Sequence, residues 1–142
     1  MTYQPCHECG FELYHPLPTK LTVSHAGIYS DARFPGRTIL VLDEHHEHLD
    51  EVPAKILAEF VNDIATFSSW LRTMPGVERI NVSILGNAEP HVHAHLIPRR
   101  PSTEPEPKRS PWDDPRPRQP LTDLQLAKTY ATLSGNWEGS HW

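Results

Sequence analysis

Apolar and polar residues follow regular spacings along most of the chain, and these spacings predict its secondary structure. From position 53 to 72 the apolar side chains recur at helical intervals, at positions 56, 57, 60, 61, 64, 67 and 71. Because Pro53 suits the first turn of a helix, we expect one long helix over 53–72. Alternating or β-branched runs at 20–30, 37–43, 78–85 and 91–98 predict strands, and residues 121–133 predict a shorter helix.

The order of these elements predicts an α+β fold. Strands that follow one another in pairs and are interrupted by one long helix are typical of an antiparallel sheet, here of about five strands with a short C-terminal helix. The short turn at 86–90 predicts that the last two strands form a hairpin with a tight loop. With 142 residues, the chain is expected to be a single domain over 1–142.

Two segments lack such spacing. Residues 1–19 are polar and irregular and contain the only two cysteines. Eight prolines fall between positions 98 and 120. Because proline cannot donate a hydrogen bond within a sheet, residues 101–120 are expected to form a proline-rich strap outside the sheet. This strap contains Trp112, so it either covers a functional site or simply crosses the surface.

Charge and composition argue against several classes of function. The net charge is −5 with histidines neutral, which argues against a general nucleic-acid-binding surface. No apolar run approaches the roughly 20 residues that span a bilayer. The first residues lack the basic and apolar regions of a signal peptide. We therefore expect a cytoplasmic protein with neither nucleic acid nor membrane as a partner.

Three histidines alternate with apolar residues inside the predicted strand 91–98. Successive side chains of a strand point to opposite faces, so His91, His93 and His95 are expected on one face. Neighbouring imidazoles can serve as nucleophile, proton relay or metal ligands. The alternation therefore indicates a candidate chemical site.

The segment from His91 to Arg99 resembles the signature of the histidine triad family, in which histidines alternate with hydrophobic residues. The resemblance extends over about residues 20–100, including the turn at Phe34-Pro35-Gly36 and the strand after it, and it includes the two cysteines. It is similar in particular to the bacterial, short-loop diadenosine tetraphosphate hydrolase-like subgroup. The resemblance implies a homodimer whose substrate is a nucleotide.

The same resemblance implies a hydrolase or nucleotidyltransferase that cleaves at the α-phosphate of a dinucleoside polyphosphate or a nucleoside phosphoramidate. His93 would be the nucleophile of a covalent nucleotidyl-histidine, which divides one difficult displacement into two easier ones. His95 would bind a phosphate oxygen or assist the leaving group as an acid. Both hydrolysis and phosphorolysis of the intermediate are compatible with the sequence.

The resemblance also implies binding residues around this centre. Asn81, Asn87 and Arg99 are candidates for phosphate contacts, although Asn87 also suits a turn beside Gly86. Arg99 could equally be a solvated charge at the end of a strand. The candidates for the nucleoside are Ile28 and Phe34 beside the base and Asp31 at the ribose, although Tyr29 stands where many members carry the aspartate. Ile28 and Phe34 could instead belong to the core.

The C-x-x-C spacing of Cys6 and Cys9 favours a metal over a disulfide in a reducing compartment. The resemblance implies a structural zinc that links the N-terminal segment, 1–19, to the sheet. Its expected ligands are Cys6, Cys9, His46 and His91. His45 and His48 compete with His46, because a shift in register would exchange them.

Two other classes of function fit the same residues. A non-catalytic nucleotide- or partner-binding protein could use the same fold, since fold alone does not grant activity. A third hypothesis is a metalloenzyme in which all three histidines hold a catalytic metal. It is disfavoured because residues two apart on a strand are roughly 6.5–7 Å apart at their α-carbons, so usually only two converge on one ion.

Overall fold

A computed structural model describes residues 3–135, in which five antiparallel strands form one sheet. The strands are β1 (Pro16–Lys20), β2 (Ser24–Ile28), β3 (Thr38–Leu42), β4 (Arg79–Ser83) and β5 (His93–Arg99). Helix α1 (Ala54–Leu71) lies between β3 and β4 in the chain, and helix α2 (Asp123–Leu133) follows β5. The strand order across the sheet is β1-β2-β3-β5-β4. The predicted α+β fold with an antiparallel sheet is confirmed.

The first hairpin differs from the prediction of one strand over 20–30. β1 begins at Pro16, inside a segment that was expected to be irregular, and pairs with β2. Prolines are tolerated in β1 because it is an edge strand. The carboxylate of Asp63 on α1 accepts hydrogen bonds from the backbone N–H groups of Thr22 and Val23. The turn between β1 and β2 is therefore held by the helix, a contact that local spacing does not reveal.

The hairpin of β4 and β5 was predicted, but its loop is not tight. β4 ends at Ser83 and β5 begins at His93, so residues 84–92 connect them. His91 consequently lies in the loop just before the strand. The pairing places Ser83 opposite His95 and Asn81 opposite Ile97.

The two faces of the sheet are covered by different parts of the chain. On one face, α1 packs its apolar side chains Phe60, Phe67 and Leu71 against buried residues such as Leu40 and Leu96. This explains the helical spacing from which α1 was predicted. The other face carries the histidines. No helix within residues 3–135 is long and apolar enough to cross a membrane.

The histidine-bearing face is covered by the two segments that lack regular spacing. Phe11 and Leu13 of the N-terminal segment are buried against Val41 and Ile39 of β3. The strap crosses the far end of the same face, where Arg99 donates hydrogen bonds to Glu104 and to the carbonyl oxygen of Arg109. The N-terminal segment and the strap therefore form walls of the candidate site around the histidines.

Candidate active site

A cavity of about 590 Å³ opens over the histidines on the face opposite α1. His93 and His95 lie at its base, and the N-terminal segment forms one wall. The opposite wall contains Trp112 and Arg118 of the strap, and residues 85–89 of the β4–β5 loop complete it. Trp112 donates its indole N–H to Ser83 of β4. The strap is therefore part of this cavity rather than only a surface crossing.

His93 is oriented by a hydrogen bond to the main chain. Its Nδ1 lies 2.7 Å from the carbonyl oxygen of His91. A carbonyl oxygen only accepts hydrogen bonds, so Nδ1 carries the ring proton. The neutral ring then has its lone pair on Nε2, which has no hydrogen-bond partner within residues 3–135. Phe11 covers one side of this ring, with 4.9 Å between the ring centroids.

His95 is oriented by a charged side chain. A terminal nitrogen of Arg37 lies 3.2 Å from Nδ1 of His95. Burial, together with the positive charge of Arg37 and the neighbouring His93, lowers the pKa of His95 to about 4. His95 is therefore neutral near pH 7. The rings of His93 and His95 are adjacent, with centroids 5.3 Å apart.

Arg37 is a site residue that the sequence reasoning missed. Its side chain is only 2 % exposed and forms an ion pair of 2.8 Å with Asp31, which is fully buried. The guanidinium also lies 3.8 Å from the centroid of the Tyr29 ring. The available signal was an arginine at the start of an otherwise apolar, buried strand, a position that is costly for a charge without partners.

Four side chains whose donor atoms suit a metal ion converge from the N-terminal segment, the connection after β3 and the loop before β5. Cys6, Cys9, His45 and His91 each offer one donor atom, and these atoms all lie within 4.8 Å of one another. The Sγ–Nδ1 distances are 3.5 Å for both cysteine–histidine pairs, and the two histidine Nδ1 atoms are 3.3 Å apart. Ordinary zinc bond lengths in a tetrahedron give roughly 3.6 Å between sulfur and nitrogen and roughly 3.3 Å between nitrogens. The donor set therefore fits a tetrahedral zinc.

The tautomer of His91 also suits a metal ligand. Its Nε2 lies 2.6 Å from the carbonyl oxygen of Leu42 and therefore donates to it, which leaves the lone pair on Nδ1 inside the cluster. Such an outer hydrogen bond is the usual way in which a metal-binding histidine is oriented.

One predicted metal ligand must be corrected. His46 Nε2 lies 2.7 Å from a carboxylate oxygen of Glu44, and His45 takes the place beside the cysteines that was expected for His46. β3 ends at Leu42 and residues 43–44 form a bend, so the alternation of the strand does not extend to His45. The sequence therefore held no local signal that separates His45 from His46.

Four predicted substrate contacts are also occupied elsewhere. The carboxylate of Asp31 is bound by Arg33 and Arg37 and does not line the cavity. Phe34 is buried outside the cavity, with the guanidinium of Arg33 5.4 Å from its ring centroid. Asn81 accepts a hydrogen bond of 2.7 Å from Arg99, so these two residues bind each other and the strap.

Other predicted positions do meet at the cavity. Ile28 lines it from the end of β2, and Asn87 lines it from the β4–β5 loop. The three histidines of the alternating run do not converge on one candidate ion site, because His91 alone of the three belongs to the group of possible metal ligands found within residues 3–135. His93 and His95 line the cavity instead, where their ring nitrogens have other roles.

The fold is that of solved histidine triad proteins. A histidine triad protein from Marinobacter aquaeolei is 24% identical, with a TM-score of 0.73 over 84% of this chain and 86% of that one. A Zn-bound histidine triad family protein from Mycobacterium smegmatis is 16% identical, with a TM-score of 0.56 over 82% of this chain and 81% of that one.

A diadenosine triphosphate hydrolase from Plasmodium falciparum is 15% identical, with a TM-score of 0.56 over 87% of this chain and 76% of that one. No protein-family model matches the chain, and no curated protein matches its sequence. At these identities the likeness concerns the fold: this chain folds as histidine triad proteins do, with His93 and His95 at the base of the cavity.

Proposed function

We propose that this protein is a nucleotide hydrolase or nucleotidyltransferase that cleaves at the α-phosphate of a nucleotide conjugate. The candidate substrates are a dinucleoside polyphosphate and a nucleoside phosphoramidate. The observation that carries the proposal is the hydrogen bond from His93 Nδ1 to the carbonyl oxygen of His91, because in the neutral ring it leaves the lone pair on Nε2, in a cavity large enough for a ligand. The similar fold of a diadenosine triphosphate hydrolase supports the same class of reaction.

In the proposed reaction His93 Nε2 attacks the α-phosphorus. A P–N bond forms, and the bond from phosphorus to the leaving oxygen or nitrogen breaks as the leaving group takes the electron pair; a leaving nitrogen also takes a proton from solvent. Water then attacks the same phosphorus and gives a proton to solvent, and the electron pair of the P–N bond returns to His93 Nε2. The products are a nucleoside monophosphate and the free His93 ring. Inorganic phosphate in place of water would give phosphorolysis. His95, which is neutral, donates to a phosphoryl oxygen or to the leaving group.

We further propose that Cys6, Cys9, His45 and His91 hold a structural zinc. Three of the separations between the donor atoms, at 3.5, 3.5 and 3.3 Å, match those of a tetrahedral site, and the Mycobacterium smegmatis neighbour is a Zn-bound protein. Four protein ligands leave no position for water, so the ion would contribute stability rather than chemistry. It would fix His91, whose carbonyl oxygen orients His93.

Turnover with matched histidine variants tests the proposed function. We expect wild type to hydrolyse a dinucleoside polyphosphate or a nucleoside phosphoramidate, and His93→Asn to lose activity by about a thousandfold or more. The control is His48→Asn, because His48 is exposed and does not line the cavity. Wild type quenched at alkaline pH, where a P–N bond survives, should also carry the mass of a nucleotidyl group that His93→Asn lacks.

Equal turnover by wild type and His93→Asn would reject the mechanism. Binding of a mononucleotide without turnover of either substrate class would instead favour the alternative, a non-catalytic nucleotide- or partner-binding protein. The homodimer, the assignment to the short-loop subgroup and the cytoplasmic location stay predictions from the sequence. Light scattering of the purified protein tests the first of them.

A further inference from the structure

Arg37 contacts His95, but no role has been assigned to Arg37 so far. Its contacts indicate a specific role. We propose that Arg37 is a positioning residue, whose hydrogen bond to His95 Nδ1 holds the ring proton of His95 on Nε2. This inference rests on the proposed function, since it assigns to His95 the state in which it donates to the substrate.

The direction of the hydrogen bond follows from the chemistry of the two groups. A guanidinium has only donors and does not lose its proton in proteins, so it cannot accept from a ring N–H. The 3.2 Å contact therefore requires the lone pair of His95 on Nδ1. A neutral imidazole carries one proton, which must then be on Nε2. Any side chain that both donates and accepts would leave the tautomer open.

Other contacts hold Arg37 rigidly in this place. Asp31 accepts from one terminal nitrogen at 2.8 Å, and the other terminal nitrogen reaches His95. The planar guanidinium stacks on the Tyr29 ring at 3.8 Å. Trp112 closes the remaining side, 5.1 Å from the guanidinium. With only 2 % of its side chain exposed, Arg37 is a fixed donor rather than a mobile surface charge.

Asp31 is suited to orient Arg37 because a second arginine keeps it ionised. Burial alone would raise the pKa of Asp31, but the hydrogen bonds from Arg33 and the charges of Arg33 and Arg37 outweigh burial and lower that pKa. Arg33 reaches both carboxylate oxygens. Removing Arg37 would thus leave Asp31 with a charged partner, which makes an Arg37 variant a reasonable experiment.

The consequence is that two adjacent histidines present opposite groups to the cavity. His93 offers a lone pair on Nε2, because its Nδ1 donates to the main chain. His95 offers an N–H on Nε2, because its Nδ1 accepts from Arg37. A nucleophile and a hydrogen-bond donor side by side suit attack on phosphorus with charge developing on its oxygens. Two lone pairs, or two donors, would not.

The tautomer of His95 can be measured in the free protein by ¹⁵N NMR of the histidine rings. Its signals are assigned by their loss in His95→Gln, which is needed because the chain has 10 histidines. In wild type we expect Nε2–H alone, with an unprotonated Nδ1. In Arg37→Met, which has similar length but no donor, the two nitrogen shifts of His95 should move towards each other as both tautomers become populated.

Arg33→Met is the matched control, because it removes the other arginine from Asp31 without touching His95. Its His95 signals should be those of wild type. In kinetics we expect Arg37→Met to lower kcat about ten- to hundredfold, as for loss of other orienting partners, with a smaller change in KM.

Several outcomes would overturn the inference. One is a wild-type His95 that carries its proton on Nδ1, a result that needs no variant to fold. Another is an unchanged His95 tautomer in Arg37→Met. If the tautomer of His95 shifts in Arg37→Met but kcat does not change, the tautomer has no role in catalysis, which contradicts the proposed role of Arg37. Because the tautomer is read without substrate, this answer is separate from whether the enzyme turns over any nucleotide.

Discussion

At the scale of single residues, each histidine of the alternating run owes its role to one hydrogen bond at one ring nitrogen. His91 donates to the carbonyl oxygen of Leu42 and turns a lone pair towards the cysteines. His93 donates to the carbonyl oxygen of His91, and His95 accepts from Arg37. Three chemically identical rings thereby become a candidate metal ligand, a candidate nucleophile and a hydrogen-bond donor.

Neighbouring histidines after β3 allow a sharp test of the metal site. We expect wild type to bind about one zinc ion per chain, as a four-ligand site requires. His45→Asn should lose the ion, because its Nδ1 is one of the four convergent donors. His46→Asn should keep it, because His46 is bound to Glu44 instead. Elemental analysis of the untagged, purified variants measures the difference.

The two variants are matched in sequence position, residue type and substitution. Loss of zinc from His46→Asn with retention in His45→Asn would show that the ligand is His46, as expected from the sequence. Retention of zinc in both variants would contradict a zinc site that includes a histidine of the connection after β3.

Single residues were predictable from the sequence only where a local period governs them. The alternation in β5 was sufficient to place His93 and His95 on one face. Asp31, Phe34 and Arg99 could not be placed in this way, because their partners are arginines and strap residues that spacing does not bring together. Arg37 was missed for the same reason: its contact with His95 spans 58 positions of the chain.

At the scale of elements, one buried ion pair connects the first part of the strap to the end of β5. Arg99 at the end of β5 donates to Glu104, and both side chains are almost completely buried. Arg99 also reaches Asn81 on the neighbouring strand and the carbonyl oxygen of Arg109 within the strap. Because Trp112 of the strap lines the cavity, this ion pair supports a wall of the site.

Removing one partner should therefore release the strap. We expect Arg99→Met to destabilise the protein by about 3–5 kcal/mol, since it leaves Glu104 buried without its cation. Arg109→Met is the control, because Arg109 is exposed and contributes only its carbonyl oxygen to Arg99. Thermal unfolding gives the stability, and limited proteolysis within 101–120 reports release of the strap. Equal stability and equal protease resistance in the two variants would show that the strap is held by other contacts.

An element could be predicted where its own pattern of apolar and polar residues was strong. α1 was expected over 53–72 and extends over Ala54–Leu71, because its apolar stripe packs on the sheet. β1 was not expected, because two prolines obscure an edge strand whose turn depends on Asp63 of α1. The strap was predicted from its prolines to lie outside the sheet. Its place over the cavity could not be predicted, because it depends on contacts with residues of the sheet, such as those of Arg99 with Arg109 and of Trp112 with Ser83.

At the scale of the whole molecule, the four candidate metal ligands come from three distant segments. Cys6 meets His45 across 39 positions, and Cys9 meets His91 across 82. One ion would therefore join the N-terminal segment, the connection after β3 and the loop before β5. Since the N-terminal segment contributes Phe11 to the cavity wall, the ion would stabilise the cavity as well as the fold.

Chelation of the wild-type protein tests this coupling between ion and cavity. An ion that binds only the folded state raises Tm with its concentration, so a strong chelator should lower Tm and restored zinc should reverse the loss. Hydrogen exchange should rise in residues 3–15 before it rises in β3 and β5, because only the former depend on the ion for their attachment. His45→Asn serves as the internal control, since a protein without the site has no Tm left for the chelator to lower. If neither chelator nor zinc changes the Tm of wild type, the metal does not stabilise the cavity. Apolar packing of Phe11 and Leu13 would then be what holds the N-terminal segment on the sheet.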